Sequence, residues 1–142
     1  MYNKKAVVCL HPTDNLELKK KYFPNLEVVQ HQTTENTYKA FLVLFIESSA
    51  IVDAILLKKR ILNLISNFSG ENAINYTLEW AKRVGFLRIN IEDELKINNN
   101  KLLSKLDDAK KNYSNYIKSF IAPDGNNIGC EKIIKTLKER FF

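Results

Sequence analysis

Residues 69–97 read Ser-Gly-Glu-Asn-Ala-Ile-Asn-Tyr-Thr-Leu-Glu-Trp-Ala-Lys-Arg-Val-Gly-Phe-Leu-Arg-Ile-Asn-Ile-Glu-Asp-Glu-Leu-Lys-Ile, and two periodicities meet inside them. Over 71–84, Ile74, Leu78 and Ala81 fall on one stripe at helical spacing. Ser69-Gly70-Glu71 supplies a helix start, and Lys82, Arg83 and Gly85 supply a stop, because cations suit the carboxyl end and glycine suits the turn beyond it. Past Gly85 the period falls to two. Leu87, Ile89 and Ile91 alternate with Arg88 and Asn90, Glu92-Asp93 forms a tip, and Leu95 and Ile97 alternate again, so a β-hairpin is expected.

Upstream, Tyr38, Phe41, Leu42, Phe45 and Ile46 follow Thr34 at three- and four-residue spacing, which predicts a helix ending at Ser48 or Ser49. Ile51, Ile55, Leu62 and Ile65 predict a second, reaching Phe68, and both segments are apolar enough to form the middle of the core or an oligomer contact. At the amino end, Lys5 to Leu10 is a β-branched run that stops at His11-Pro12. Asp14 is placed to cap a short helix carrying Leu16, Leu18 and Tyr22, and after Pro24-Asn25 a second apolar run covers Leu26 to His31. The intervening segment meets the crossover of about a dozen residues that a parallel pair needs, and an antiparallel pair bridged by the helix also fits. Downstream, Asn98-Asn99-Asn100 leads into a helix with Leu102, Leu106, Ala109, Tyr113, Tyr116, Ile117 and Phe120 inward. A turn at Ala122–Asn127 precedes a last helix holding Cys130, Ile133, Ile134, Leu137 and Phe141.

The whole is 142 residues, 45% hydrophobic and 27% charged, which suits one domain over 1–142 and excludes collagen-like, disordered and disulfide-scaffold classes. Eighteen Lys and only four Arg, against 16 Asp and Glu, give the net charge of +6. A basic surplus favours anionic partners, yet Arg is the residue that forks onto guanine edges, so its scarcity argues against dense base readout. The two cysteines are unclustered and read as structural thiols of a reducing, cytoplasmic interior. The most apolar stretch, Phe41 to Leu57, is broken by Glu47 and Asp53 and is too short to span a bilayer, so no membrane partner is expected.

Helix, helix, the capped helix ending Leu78-Glu79-Trp80-Ala81-Lys82-Arg83-Val84-Gly85-Phe86-Leu87, then a ribbon: this order over residues 35–98 resembles a winged helix-turn-helix domain. The expected fold class is therefore α+β, mainly helical, with a winged-helix-like centre, a βαβ-like unit over 1–33 and two C-terminal helices over 99–142. The resemblance implies a non-enzymatic DNA-binding protein in transcription regulation, acting as a homodimer on duplex DNA. The alternative is protein-protein interaction, as a docking subunit or an inhibitor within a larger complex. No cofactor is expected.

On the winged-helix reading the DNA-binding residues are Asn72, Asn75, Tyr76, Lys82, Arg83 and Arg88, with Lys58 and Lys59 gripping phosphates. Asparagine suits adenine edges, although residues 69–98 carry a net −1 and the wing tip is acidic. Residues 99–142 carry +4, which moves electrostatic docking toward the carboxyl end. Lys19-Lys20-Lys21 is a second basic triplet, and Tyr113 and Tyr116 among Lys110, Lys111 and Lys118 fit either base stacking or core packing. Cys9, His11 and His31, with Asp14, form the best chemical cluster, but their spacing matches no ligand pattern and no metal is expected. No glycine-rich nucleotide cradle is present, and Glu47, Asp53 and the Asp107-Asp108 pair are carboxylates without a motif.

Overall fold

Val-Val-Cys-Leu and Glu-Val-Val-Gln form strands β1 (Val7–Leu10) and β2 (Glu27–Gln30) in a computed structural model that describes residues 4–93, 98–121, 134–135 and 138–139. They pair in parallel with Val7 opposite Glu27, and helix α1 (Leu16–Tyr22) crosses between them. The expected strand–helix–strand unit is present in its parallel form. Asn15, not Asp14, caps α1: its side chain accepts from the Leu18 N–H at 2.9 Å, while the Asp14 carboxylate accepts from the His11 N–H.

The two apolar segments that follow depart from the helical expectation. Helix α2 (Thr33–Lys39) ends early, and Leu42–Phe45 is strand β3. Helix α3 (Ile51–Leu56) is likewise cut short, and Arg60–Ile65 is strand β4. Continuous apolar runs carry no decisive period, and each run here gains a ladder partner that a helix would forgo. The break inside the second run falls at Lys58, whose φ of 50° lies in the left-handed region, so the basic triplet 58–60 turns the chain instead of decorating a helix.

Helix α4 (Glu71–Val84) matches its expected bounds and its stop, with Gly85 at φ 83° closing it, while its buried residues are Thr77 and Val84 and the expected stripe of Ile74, Leu78 and Ala81 is half-buried. Beyond it, the first half of the expected hairpin is strand β5 (Leu87–Asn90), paired in parallel with β4 in a three-stranded sheet of order β3-β4-β5. Leu95 and Ile97, its other half, lie outside the described residues. Residues 35–98 thus contain a parallel β–α–β–α–β unit where the winged-helix resemblance implies helices and an antiparallel ribbon. The mixture of helix and strand with helix predominating is as expected.

Helix α5 (Asn99–Ala109), capped by the Asn98 side chain, packs on β4 and β5. The long helix expected to continue through Phe120 instead passes a 3-10 turn at Lys110–Asn112, a short helix α6 (Tyr113–Tyr116) and a wider π turn at Ile117–Ile121. The turn at 122–127 and most of the final helix lie outside the described residues. The core gathers Ile51, Ala54, Ile55, Ile61, Val84, Phe86 and Tyr113, all fully or nearly fully buried, with Phe45 edge-on to Phe86 at 5.2 Å. Apolar area removed from water here is the main stabilising term.

Candidate nucleic-acid interface

A parallel strand–helix repeat sends every strand one way and every helix back, so strand amino ends and helix carboxyl ends share one rim. Both sheets share that rim in this protein. The Lys4 ammonium, just ahead of β1, lies 5.6 Å from the ring centroid of Phe41, just ahead of β3, and α2 packs on β1 and α3. At the far side, Arg60 at the head of β4 reaches Asp107 near the end of α5 through two hydrogen bonds of 3.0 and 2.8 Å.

Local helix chemistry then sorts the charge. Basic residues occupy the last turns of α1, α2 and α4, where they complement the helix dipole: Lys20 and Lys21, Lys39, and Lys82 and Arg83. Lys4 and Lys5 precede β1, Lys58, Lys59 and Arg60 open β4, and Lys110 and Lys111 follow α5. Asp53 and Glu71 lie near helix starts and Glu47, Glu92 and Asp93 beyond strand ends, toward the opposite rim, whereas Glu17, Glu35 and Asp14 pair with Lys20, Lys39 and Lys19 across the short helices α1 and α2. Helix α5 departs from this order, with Lys101 in its first turn and Asp107 and Asp108 in its last, and the parallel topology of the other elements leaves the first rim with more cations than acids.

Several rim cations are already engaged. Lys5 pairs with Glu27, Lys82 with Glu79, Lys111 with Asp108, and Arg60 and Lys110 share Asp107. These bonds to Arg60 and then Lys110 hold the Asp107 carboxyl down at about 2. Lys4, Lys21, Lys58 and Arg83 form no ion pair among the described residues. Aromatic faces support the rim: the Arg60 guanidinium lies 4.5 Å from the Phe41 centroid, on which Lys4 also bears, and Arg83 lies 5.7 Å from that of Phe120. Lys59 donates to the Tyr38 carbonyl and sits 5.5 Å from its ring, and burial pulls its ammonium below the ordinary range.

The sequence-derived candidates separate on this frame. Lys58, Lys59, Lys82 and Arg83 come to the basic rim. Asn72 and Asn75 lie in the first turns of α4 at the other end, exposed but among acids, and Tyr76 is on the same helix with its ring against Trp80. Arg88 is withdrawn from any ligand surface: its guanidinium donates to Asn63 Oδ1, the Ile74 carbonyl and Thr77 Oγ1, each at 3.1 Å. The acidic tip is also tied down, because Glu92 accepts from the Ser66 hydroxyl and the Asn67 N–H, bonds that lower its carboxyl below the usual range.

The other clusters resolve as structure. Cys9 is half-buried in β1, and burial pushes its thiol up; Cys130 lies outside the described residues. His11 bonds Thr13 through Nδ1, His31 ends β2 at φ 62°, and among the described residues no three His, Cys, Asp or Glu side chains are grouped to hold a metal. Asp53 accepts the Thr34 hydroxyl at 2.7 Å. Of the stretch 41–57, α3 is largely core while Leu44 and Ile46 remain exposed. No described helix is long and apolar enough to cross a membrane. Tyr113 is wholly buried, whereas Phe120, expected inward, is 55% exposed. Sequence reading missed the rim because it depends on which ends a topology brings together. Comparison with known proteins finds no matching family model, no matching curated protein and no matching solved structure.

Proposed function

We propose that this protein is a non-enzymatic nucleic-acid-binding module that grips phosphate backbones with the basic rim at the amino ends of its strands. The observation that carries the reading is the excess of cations at that rim, where Lys4, Lys21, Lys58 and Arg83 form no ion pair among the described residues. A rim with a surplus of unpaired cations raises the local potential and attracts a polyanion. Lys58 adds a second support. A lysine at φ 50° occupies backbone space that glycine enters without cost, and strain of this kind collects at functional positions. Few arginines, and no base-reading helix at this rim among the described residues, make the binding backbone-directed, with little sequence preference.

The test is a salt titration of nucleic-acid binding by the full chain, using fluorescence anisotropy. Affinity is expected to fall log-linearly with salt. Lys58→Glu and Lys21→Glu are each expected to weaken binding and flatten that slope by about one. Glu71→Gln at the opposite rim is expected to change neither. Absence of binding to any nucleic acid at low salt overturns the reading.

A further inference from the structure

We infer that the nucleic acid held at this rim is single-stranded, with its bases stacked on an aromatic ladder that rises from the rim along α4. The inference rests on the nucleic-acid reading above and adds the strandedness. Tyr76, Trp80 and Arg83 lie at i, i+4 and i+7 of α4, hence on one face, and Tyr116 and Phe120 lie four apart on the segment packed against it. The rings form a continuous series. Phe120 stacks on Tyr116 at 5.0 Å and 29°, Tyr116 meets Trp80 at 6.1 Å, and Trp80 meets Tyr76 at 5.8 Å.

The middle and the ends of the series differ in burial. Trp80 and Tyr116 pack against the core cluster and are fixed by it, while the terminal rings are partly exposed, Phe120 at 55% with the Arg83 guanidinium over its ring and Tyr76 at 46%. Rings already fixed by the core at the middle of the series and exposed at its ends cost little ordering when a flat ligand packs against them. The charge around the ladder fits an anionic ligand: Arg83 stands beside Phe120, Lys118 is exposed on the same segment, and the nearby Glu79 carboxylate is bonded to Lys82 at 2.8 Å. A duplex hides its base faces and gains nothing from exposed rings. A single strand offers them, and every base has a π-face, so cations for the backbone beside rings for the bases are the two parts such binding needs.

The experiment uses the full chain, an oligothymidylate of about 16 nucleotides and a duplex of the same length. Trp80, the single tryptophan of the sequence, reports from the middle of the ladder. Its fluorescence is expected to be quenched by the oligothymidylate and little changed by the duplex. Phe120→Ala and Tyr76→Ala, both at exposed positions with folding checked by circular dichroism, are expected to lower oligothymidylate affinity about tenfold each while leaving duplex affinity and the salt slope unchanged. Phe120→Trp is expected to retain binding. Duplex affinity equal to that of the strand, or alanine variants that bind the strand as the parent does, overturns the stacking inference and leaves the rim reading standing. Failure of both nucleic acids to bind at low salt removes both.

Discussion

Arg88 Nε donates to Asn63 Oδ1 at 3.1 Å between residues that are direct register partners in β5 and β4. Asn63 is fully buried, and its amide donates to the Phe45 and Ile46 carbonyls at 3.1 and 2.8 Å, while Arg88 also holds Ile74 and Thr77 of α4. One polar network thereby joins all three strands of the sheet to a helix. Asn63→Leu and Arg88→Met each strand buried partners, and each is expected to lower unfolding free energy by about 2–3 kcal/mol in urea titrations. Arg88→Met is also expected to leave nucleic-acid affinity unchanged wherever it remains folded. A binding defect without a stability defect would return Arg88 to the ligand surface.

Lys58 is expected to trade stability against function. Lys58→Gly relieves the φ of 50° and should stabilise the fold by about 1 kcal/mol, as left-handed backbone favours glycine. The same change removes a rim cation, so binding should weaken as the denaturation midpoint rises. A stabilised variant with undiminished affinity would separate the strain from the function.

Gly85 closes α4 at φ 83°, and a Cβ there would come within 2.4 Å of Asn112 Nδ2. Gly85→Ala is expected to cost about 1–2 kcal/mol from backbone conformation alone. The Asn112 side chain can swing aside, so Gly85→Ala combined with Asn112→Ala should recover only the steric part. Full recovery in urea titrations would place the whole cost in the clash.

Asp107 makes stability depend on acid pH. Its folded value of about 2 lies below the ordinary carboxylate value, so the ionised form favours the folded state. That contribution is complete above about pH 5 and is lost as the pH falls through the folded value. Urea midpoints are expected to fall between about pH 4 and pH 2. Asp107→Asn should lower the midpoint at neutral pH and flatten the acid limb, because no proton remains to be taken up at that site. An acid limb as steep as in the parent would assign the effect to other carboxylates.

Tyr113 carries a wholly buried hydroxyl without a hydrogen-bond partner among the described residues, and burial pushes its phenol far up. Removing an unmatched polar atom restores nothing to the solvent-exposed state that the fold had gained. Tyr113→Phe is therefore expected to stabilise the protein by about 1 kcal/mol. A fall in melting temperature would mean that the hydroxyl is satisfied in solution.

Legibility varied along the chain with the kind of signal. Helix α4 and its stop at Gly85 were readable because cap, stripe and glycine are all local. The N-terminal crossover was readable because only its length mattered. Phe41–Ile46 and Ile61–Ile65 were not, since an apolar run carries the same side chains whether it winds as a helix or extends between two neighbours. Leu87–Asn90 alternates as a hairpin strand does, and its partner proved to be β4, a choice made by hydrogen bonding to residues some twenty-five positions earlier.

By itself the sequence determined that in α1, α2 and α4 an acid opens the helix and lysines or arginines close it, because the peptide dipoles of each helix favour that order wherever the helix stands. Only the tertiary structure decided that these ends meet. Parallel strands joined by returning helices align every dipole the same way, so scattered local preferences become one cationic edge. An antiparallel arrangement of the same segments would have distributed those charges over both ends of the molecule.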